Sequence, residues 1–180
     1  MDAANIDLKA FTEEFYARHC AGQLAPVLET LKILKEVGIW FELVVLIIPT
    51  LNDSPDEIRQ MSKWVIQHLG PDVPMHFTAF HPDFKMLDVP ATPAATLVRA
   101  RRIALDHGLR YVYTGNVHDT EGDATLCPGC GQVVIQRDWY RLLEWRLENG
   151  HCAACGAKIA GRFENKPGDW GARRVPVRIV

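Results

Sequence analysis

Four of the chain's five cysteines stand in two tight pairs, Cys127-Pro128-Gly129-Cys130 and Cys152-Ala153-Ala154-Cys155, each followed by a glycine. A Cys-x-x-Cys turn aims two sulfurs at one place. Two such turns separated by roughly twenty residues supply a tetrahedral shell of four thiolates. Disulfide frameworks rarely space cysteines in this way, so Cys127, Cys130, Cys152 and Cys155 read as metal ligands, for zinc in preference to a single rubredoxin-type iron. A closed four-sulfur shell leaves no open coordination position, so the expected role is structural, with His151 outside the shell. The remaining cysteine, Cys20, reads as a small buried hydrophobe on a helix.

Upstream of these pairs, apolar runs alternate with helical periodicity. Asn5-Ile6-Asp7-Leu8, residues 41–48, residues 75–80 and residues 110–113 read as strands. The middle two carry apolar or aromatic residues on both faces, as strands covered on both sides do. A helical patch spans residues 12–20, and a helix over residues 26–37 is stopped by Gly38. Ser54-Pro55-Asp56-Glu57 is a capping box that opens a helix closed by Gly70. Thr92-Pro93 opens another, closed by Gly108. Strand and helix thus alternate at about 35 residues per unit, which predicts a parallel sheet with right-handed crossovers. Even spacing and the lack of a GxGxxG string favour part of a β/α barrel over a dinucleotide-binding fold.

The expected fold is therefore α/β: the C-terminal part of a partial β/α barrel over residues 1–118, then a small four-cysteine module of zinc-ribbon or rubredoxin-like type over 119–180. Regular periodicity in that module is confined to residues 139–147. A four-strand piece starting so close to residue 1 leaves a sheet edge to be covered. An upstream segment of the same protein, or another chain, is the expected cover.

A net charge of -2 gives no handle on nucleic acid or an anionic membrane. The apolar run from Leu43 to Ile48 is too short to span a bilayer, and Asp2, Asp7 and Lys9 interrupt any signal segment. A reducing cytoplasm is expected. Candidate chemistry lies at strand ends. Asp7 and Lys9 alternate along the first strand and share a face, either as a mutual ion pair or with a ligand. His81 follows the third strand; Asn116 and His118 follow the fourth. These are C-terminal strand ends, where barrel enzymes place their sites. Glu42 and His76 lie within strands, and His76 reads as a satisfied core histidine. Trp64, Trp139, Trp145 and Trp170 read as packing residues, and Arg99, Arg101, Arg102, Arg173, Arg174 and Arg178 as solvated faces or counter-charges.

Several strings together resemble radical S-adenosylmethionine (SAM) enzymes of the glycyl-radical activating type. Asp2-Ala3-Ala4-Asn5-Ile6-Asp7-Leu8-Lys9-Ala10-Phe11 is similar to their fourth strand. Ile47-Ile48-Pro49 with Asn52-Asp53-Ser54 is similar to the fifth strand and its loop, and His76-Phe77-Thr78-Ala79-Phe80-His81-Pro82 to the sixth. With Tyr113-Thr114-Gly115-Asn116-Val117, the terminal cysteine pairs and Gly168-Asp169-Trp170-Gly171, the order looks like the radical enzyme of the AmmeMemoRadiSam system. The resemblance implies a partial barrel holding a [4Fe-4S] cluster and SAM, which the reduced cluster cleaves to a 5′-deoxyadenosyl radical. It also implies that Asp7, Leu8, Lys9 and His81 contact SAM. The family's Cys-x-x-x-Cys-x-x-Cys cluster motif is absent from this chain, so the cluster ligands are expected upstream and the chain alone is expected to be inactive. Glu42 stands where many activating enzymes carry a basic residue, which argues against a glycyl-radical protein as the substrate. The substrate, protein or small molecule, is not identified by the resemblance. A reading from another class is a non-catalytic zinc-ribbon interaction module on an α/β scaffold.

Overall fold

The structure, a computed structural model, describes residues 3–168. Asp169, Trp170, Gly171, Arg173, Arg174 and Arg178 lie outside them, as does Asp2. Strands β1 (Ala3–Asp7), β2 (Trp40–Ile47), β3 (Met75–Ala79) and β4 (Val112–Gly115) form one sheet in chain order. All its pairings are parallel: Asp7 lies beside Val44, Val44 beside His76, and His76 beside Tyr113. Parallel neighbours need crossovers. Between β1 and β2 these are α1 (Glu13–Phe15), a π-helical turn (Tyr16–Cys20) and α2 (Leu24–Glu36); α3 (Pro55–His68) and α4 (Ala94–Asp106) serve the other two connections.

The helix ends explain why the chain breaks where it does. Ser54 Oγ accepts from the Glu57 N–H at 3.2 Å, Pro55 opens α3, and Asp56 and Glu57 sit at its positive end. Gly70 then turns the chain at φ +88°, a left-handed conformation that glycine takes without a steric cost. Helix α2 has no side-chain cap of its own. The Glu13 carboxylate instead accepts from the N–H groups of Leu24 at 2.9 Å and Ala25 at 3.1 Å, satisfying two orphan donors. Thr92 was expected to start α4, but the residue flanking that helix is Pro93. Thr92 is buried and is spent on strands: its hydroxyl accepts from Phe80 N–H and donates to Ile47 C=O. The fourth strand begins at Val112, two residues later than the apolar run suggested, because Arg110 is occupied by the Asp72 carboxylate at 3.0 Å and by Pro71 C=O.

Alternation along β2 decides which face is the core. Phe41, Leu43, Val45 and Ile47 are buried with Met75, Phe77 and Val112, packed with Leu31, Ile58, Met61, Val65 and Leu97 from the helices. Glu42, Val44, Leu46, His76, Thr78 and Tyr113 point the other way and are only half-buried. The expectation of strands covered on both faces is thus corrected: among the described residues one face is covered. His76 is satisfied as expected, but on this half-open face. Its Nε2 lies 2.8 Å from Glu42 Oε2, and its ring stacks on Tyr113 at 4.9 Å between centroids. Cys20 is likewise corrected. It ends the π-helical turn and is exposed.

The chain divides into two compact units, Met1–Gly122 and Asp123–Val180. The second contains an antiparallel sheet of β5 (Thr125–Leu126), β6 (Val133–Asp138) and β7 (Arg141–Trp145), and a short pair, β8 (Leu147–Glu148) with β9 (His151–Cys152). Asp138 pairs with Arg141, so Trp139 and Tyr140 form the hairpin tip. Trp139 is 52% exposed there. Among the described residues no helix is long and apolar enough to cross a membrane.

Candidate functional site

The two cysteine turns close by the same backbone bonds. Gly131 N–H donates to Cys127 C=O at 2.9 Å, and Gly156 N–H donates to Cys152 C=O at 2.8 Å. Cys127 N–H donates to Gln132 C=O, and Cys152 N–H to Ala157 C=O. Gly131 and Gly156 both sit at φ +73°, which is why each pair is followed by glycine. Their amides serve the carbonyls rather than the sulfurs. Other amides serve the sulfurs, among them that of Gly129, 3.4 Å from Cys127 Sγ. The turns bring Cys127 Sγ to 3.5 Å from Cys155 Sγ and Cys130 Sγ to 3.8 Å from Cys152 Sγ, with all four sulfurs within 4.8 Å of one another. A disulfide would be about 2.05 Å. A tetrahedron with metal–sulfur bonds of about 2.3 Å has edges of about 3.8 Å. The four-cysteine group can therefore hold a metal ion.

The thiol electrostatics agree with that geometry. Burial pushes the Cys127 thiol up, but the amides of Cys130 and Gly129 and the neighbouring thiols outweigh it and bring it down to about 7. The Ala157 amide favours the Cys155 thiolate, yet the crowded Cys127, Cys130 and Cys152 sulfurs push that thiol up to about 12. The Cys127 thiol gives up its proton readily and the Cys155 thiol resists doing so, because a second negative charge at this spacing needs a cation.

The second candidate region is the end of β1. Leu8 is fully buried in the core, while Asp7 and Lys9 flank it on the opposite face. Their side chains form an ion pair at 3.0 Å and are 54% and 40% exposed. Such a pair contributes little stability by itself. The backbone beneath it is held from four directions. Leu8 N–H donates to Val44 C=O at 2.9 Å, and Lys9 N–H donates to the Tyr16 hydroxyl at 3.1 Å. Asn52 Nδ2 donates to Lys9 C=O at 2.7 Å, and Phe11 N–H donates to the Glu57 carboxylate at 2.7 Å. Burial raises the Glu57 carboxyl above its ordinary range, opposed by the Phe11 amide and reinforced by Asp53. Burial also raises the Tyr16 phenol, against the pull of the Lys9 amide. Asn52, Tyr16 and Glu57 were not singled out in sequence as supports of this segment.

His81 is exposed two residues beyond β3, next to Phe80, whose N–H and C=O both bond to Thr92. Asn116, at φ +59° after β4, donates to Ala79 C=O at 3.1 Å and fastens the same strand end. The structure brings Asp7 and Lys9 together and leaves His81 two strands away, a separation of about 10 Å at ordinary strand spacing. Among the described residues no hydrogen bond or ion pair joins His81 to either.

No protein-family model matches the chain. It is 44% identical over 161 residues to an uncharacterized protein of Methanocaldococcus jannaschii, an alignment that takes in 88% of this chain and 48% of that protein. The chain thus spans about half the length of the curated relative it matches. Among solved structures, a domain of a pyruvate-formate lyase-activating enzyme from Bacteroides vulgatus aligns with a TM-score of 0.56 at 15% identity, over 64% of this chain and 68% of that one. The fold is similar to that of an activating-enzyme domain.

Proposed function

We propose that the chain is part of a radical SAM enzyme, with β1–β4 forming the C-terminal part of its partial barrel and the four cysteines holding a structural zinc. The observation that carries this reading is the likeness of fold to an activating-enzyme domain, taken with the anchored Asp7-Leu8-Lys9 segment at the C-terminal end of a parallel strand. Asp7, Leu8, Lys9 and His81 are the proposed SAM contacts. An exposed carboxylate beside an ammonium group suits the amino and carboxylate groups of the methionyl end of SAM. The three-cysteine motif for a [4Fe-4S] cluster is absent from this sequence, so the cluster ligands belong to a segment outside it. When bound, the cluster and SAM supply a 5′-deoxyadenosyl radical. This chain's residues orient SAM and, on the half-open sheet face, line the space where a substrate sits.

Titration of SAM into the metal-loaded chain, followed by backbone NMR, tests the assignment. Shifts at Leu8, Lys9 and His81 that Asp7→Asn and Lys9→Met abolish are expected. Binding is expected to be weak, since a barrel-mouth ligand is held by loops from several strands. Saturable shifts confined to other positions, or none, would leave the non-catalytic zinc-ribbon interaction module as the better reading.

A further inference from the structure

Among the described residues, His76 on the half-open sheet face keeps one polar atom that is accessible and without a partner. It is the second residue of β3 and meets Glu42 of β2 and Tyr113 of β4. Glu42 Oε2 lies 2.8 Å from His76 Nε2. The Tyr113 ring stacks on the imidazole at 4.9 Å between centroids and 26° between planes. The imidazole is thus fixed at one edge and on one face. No described residue meets its second nitrogen, Nδ1. That atom is not enclosed, because among the described side chains only the Trp145 indole has a buried nitrogen or oxygen without a partner. An ionised carboxylate accepts and does not donate, so Glu42 holds the proton of the neutral imidazole on Nε2. Nδ1 is left with its lone pair and is an acceptor.

The surroundings decide which donor fits. Parallel register sets Asp7, Val44, His76 and Tyr113 in one row across the sheet. Leu46, Thr78 and Gly115 form the row two residues nearer the C-terminal strand ends. Val44 and Leu46 are apolar and half-buried. Neither β3 nor β4 places a long side chain beyond His76 in that row, and a Cβ at Gly115 would lie 2.8 Å from Thr78 Cγ2. Asp7 is two strands from His76, about 10 Å along the row at ordinary strand spacing. One acceptor beside apolar surface suits a group with a single hydrogen to donate. A hydroxyl is satisfied by it, whereas an ammonium group brings three donors and leaves two unmet. We propose that His76 is a substrate-binding residue whose Nδ1 takes the hydroxyl of an alcohol, with the carbon chain of that alcohol on Val44 and Leu46. Glu42 is the residue that positions the ring. The inference rests on the radical SAM reading, which sets the substrate on this face and SAM at Asp7.

The test uses the whole metal-loaded chain with 15N in its histidine rings. It needs neither cluster nor SAM, so its failure is distinct from a failure of SAM cleavage. His76→Phe keeps a ring beside Tyr113, removes the acceptor, and identifies the His76 signals among the seven histidines. At a pH of about 8, above the ordinary imidazole pKa, Nε2 is expected to carry the proton and Nδ1 to be bare. Glu42→Leu is expected to mix the two tautomers, and Glu42→Gln, whose side-chain oxygen still accepts, to restore the first. The probes are 3-methylbutan-1-ol, 3-methylbutylamine and 3-methylbutyl methyl ether. A saturable upfield shift of the Nδ1 signal is expected with the alcohol, a clearly weaker response with the amine, and none with the ether. Glu42→Leu is expected to weaken alcohol binding about threefold, since part of the rings then carry the proton on Nδ1. A histidine that only packs would show no such loss. A proton on Nδ1 in the wild type, no response to the alcohol, or an equal response to the amine or the ether would overturn the proposal.

Discussion

Replacing Asn52 with alanine is the sharpest probe of how the fold prepares the end of β1. Asn52 is 1% exposed. Its Oδ1 accepts from Ile48 N–H at 2.7 Å, and its Nδ2 donates to Lys9 C=O at 2.7 Å and Leu46 C=O at 2.9 Å. Alanine removes all three bonds and strands one donor and two acceptors in the interior. Each net bond contributes about 1 kcal/mol, and each stranded group costs about 1–3 kcal/mol. Partial relaxation and water entry reduce the sum, so the expected loss is about 3–5 kcal/mol, a large part of the stability of an ordinary domain. Asn52→Asp should be no better, because its second oxygen would face two carbonyl oxygens. Native-state amide exchange at Ile48 reads the effect locally, and exchange faster by about a hundredfold or more corresponds to the lower end of that range. Urea melts give the global value. A loss below about 1 kcal/mol, with Ile48 still protected and the Lys9 signals unmoved, would refute the reasoning that Asn52 holds this segment.

Three further outcomes follow from the same structure. Because burial raises the Glu57 carboxyl in the folded state, folding favours its protonated form. That contribution is greatest below the ordinary carboxyl pKa and is lost as pH rises through the raised value, so Glu57→Gln should gain on the wild type in urea melts as pH rises above the ordinary carboxyl pKa. Glu57→Ala, which strands the Phe11 amide, should lose about 1–3 kcal/mol in the same melts. Gly131→Ala and Gly156→Ala meet open space but force a side chain into φ +73°, a cost of about 1 kcal/mol that should appear as roughly fivefold weaker metal retention against a chelator. Metal analysis should find one zinc per chain. Its removal should unfold the second unit, since structural zinc contributes about 10–16 kcal/mol, and Cys127→Ser should lower its retention.

The strand–helix order was legible because apolar period and glycine stops sit in the same stretches, as at Leu31, Leu34 and Gly38. The four cysteines were legible because two tight turns leave little choice of partner. Residues acting across long sequence separations were not. Asn52 bonds Lys9 from 43 positions away, and Glu57 bonds Phe11 from 46 away. Glu57 carries a local signature, the capping box, that describes its amide and hides the use of its carboxylate. Thr92 was misread for the same reason: a threonine before Pro-Ala resembles a helix start, yet its hydroxyl is taken by strands. Val44 and Leu46 made β2 look covered on both faces, and Glu42 was the one residue in that run that signalled the half-open side. Trp139 was read as packing because an indole in a periodic stretch usually is; its place at a two-residue hairpin tip depends on the pairing of Asp138 with Arg141.

The most direct measurement is of SAM cleavage by this chain joined to the segment proposed to carry the three-cysteine motif. After anaerobic reconstitution with iron and sulfide, the joined protein is given reductant and SAM, and 5′-deoxyadenosine is quantified. The proposal predicts 5′-deoxyadenosine from the joined protein, much less from its Asp7→Asn and Lys9→Met variants, and none from this chain alone. Production by this chain alone, or a reconstituted cluster in the joined protein with no cleavage, would contradict it.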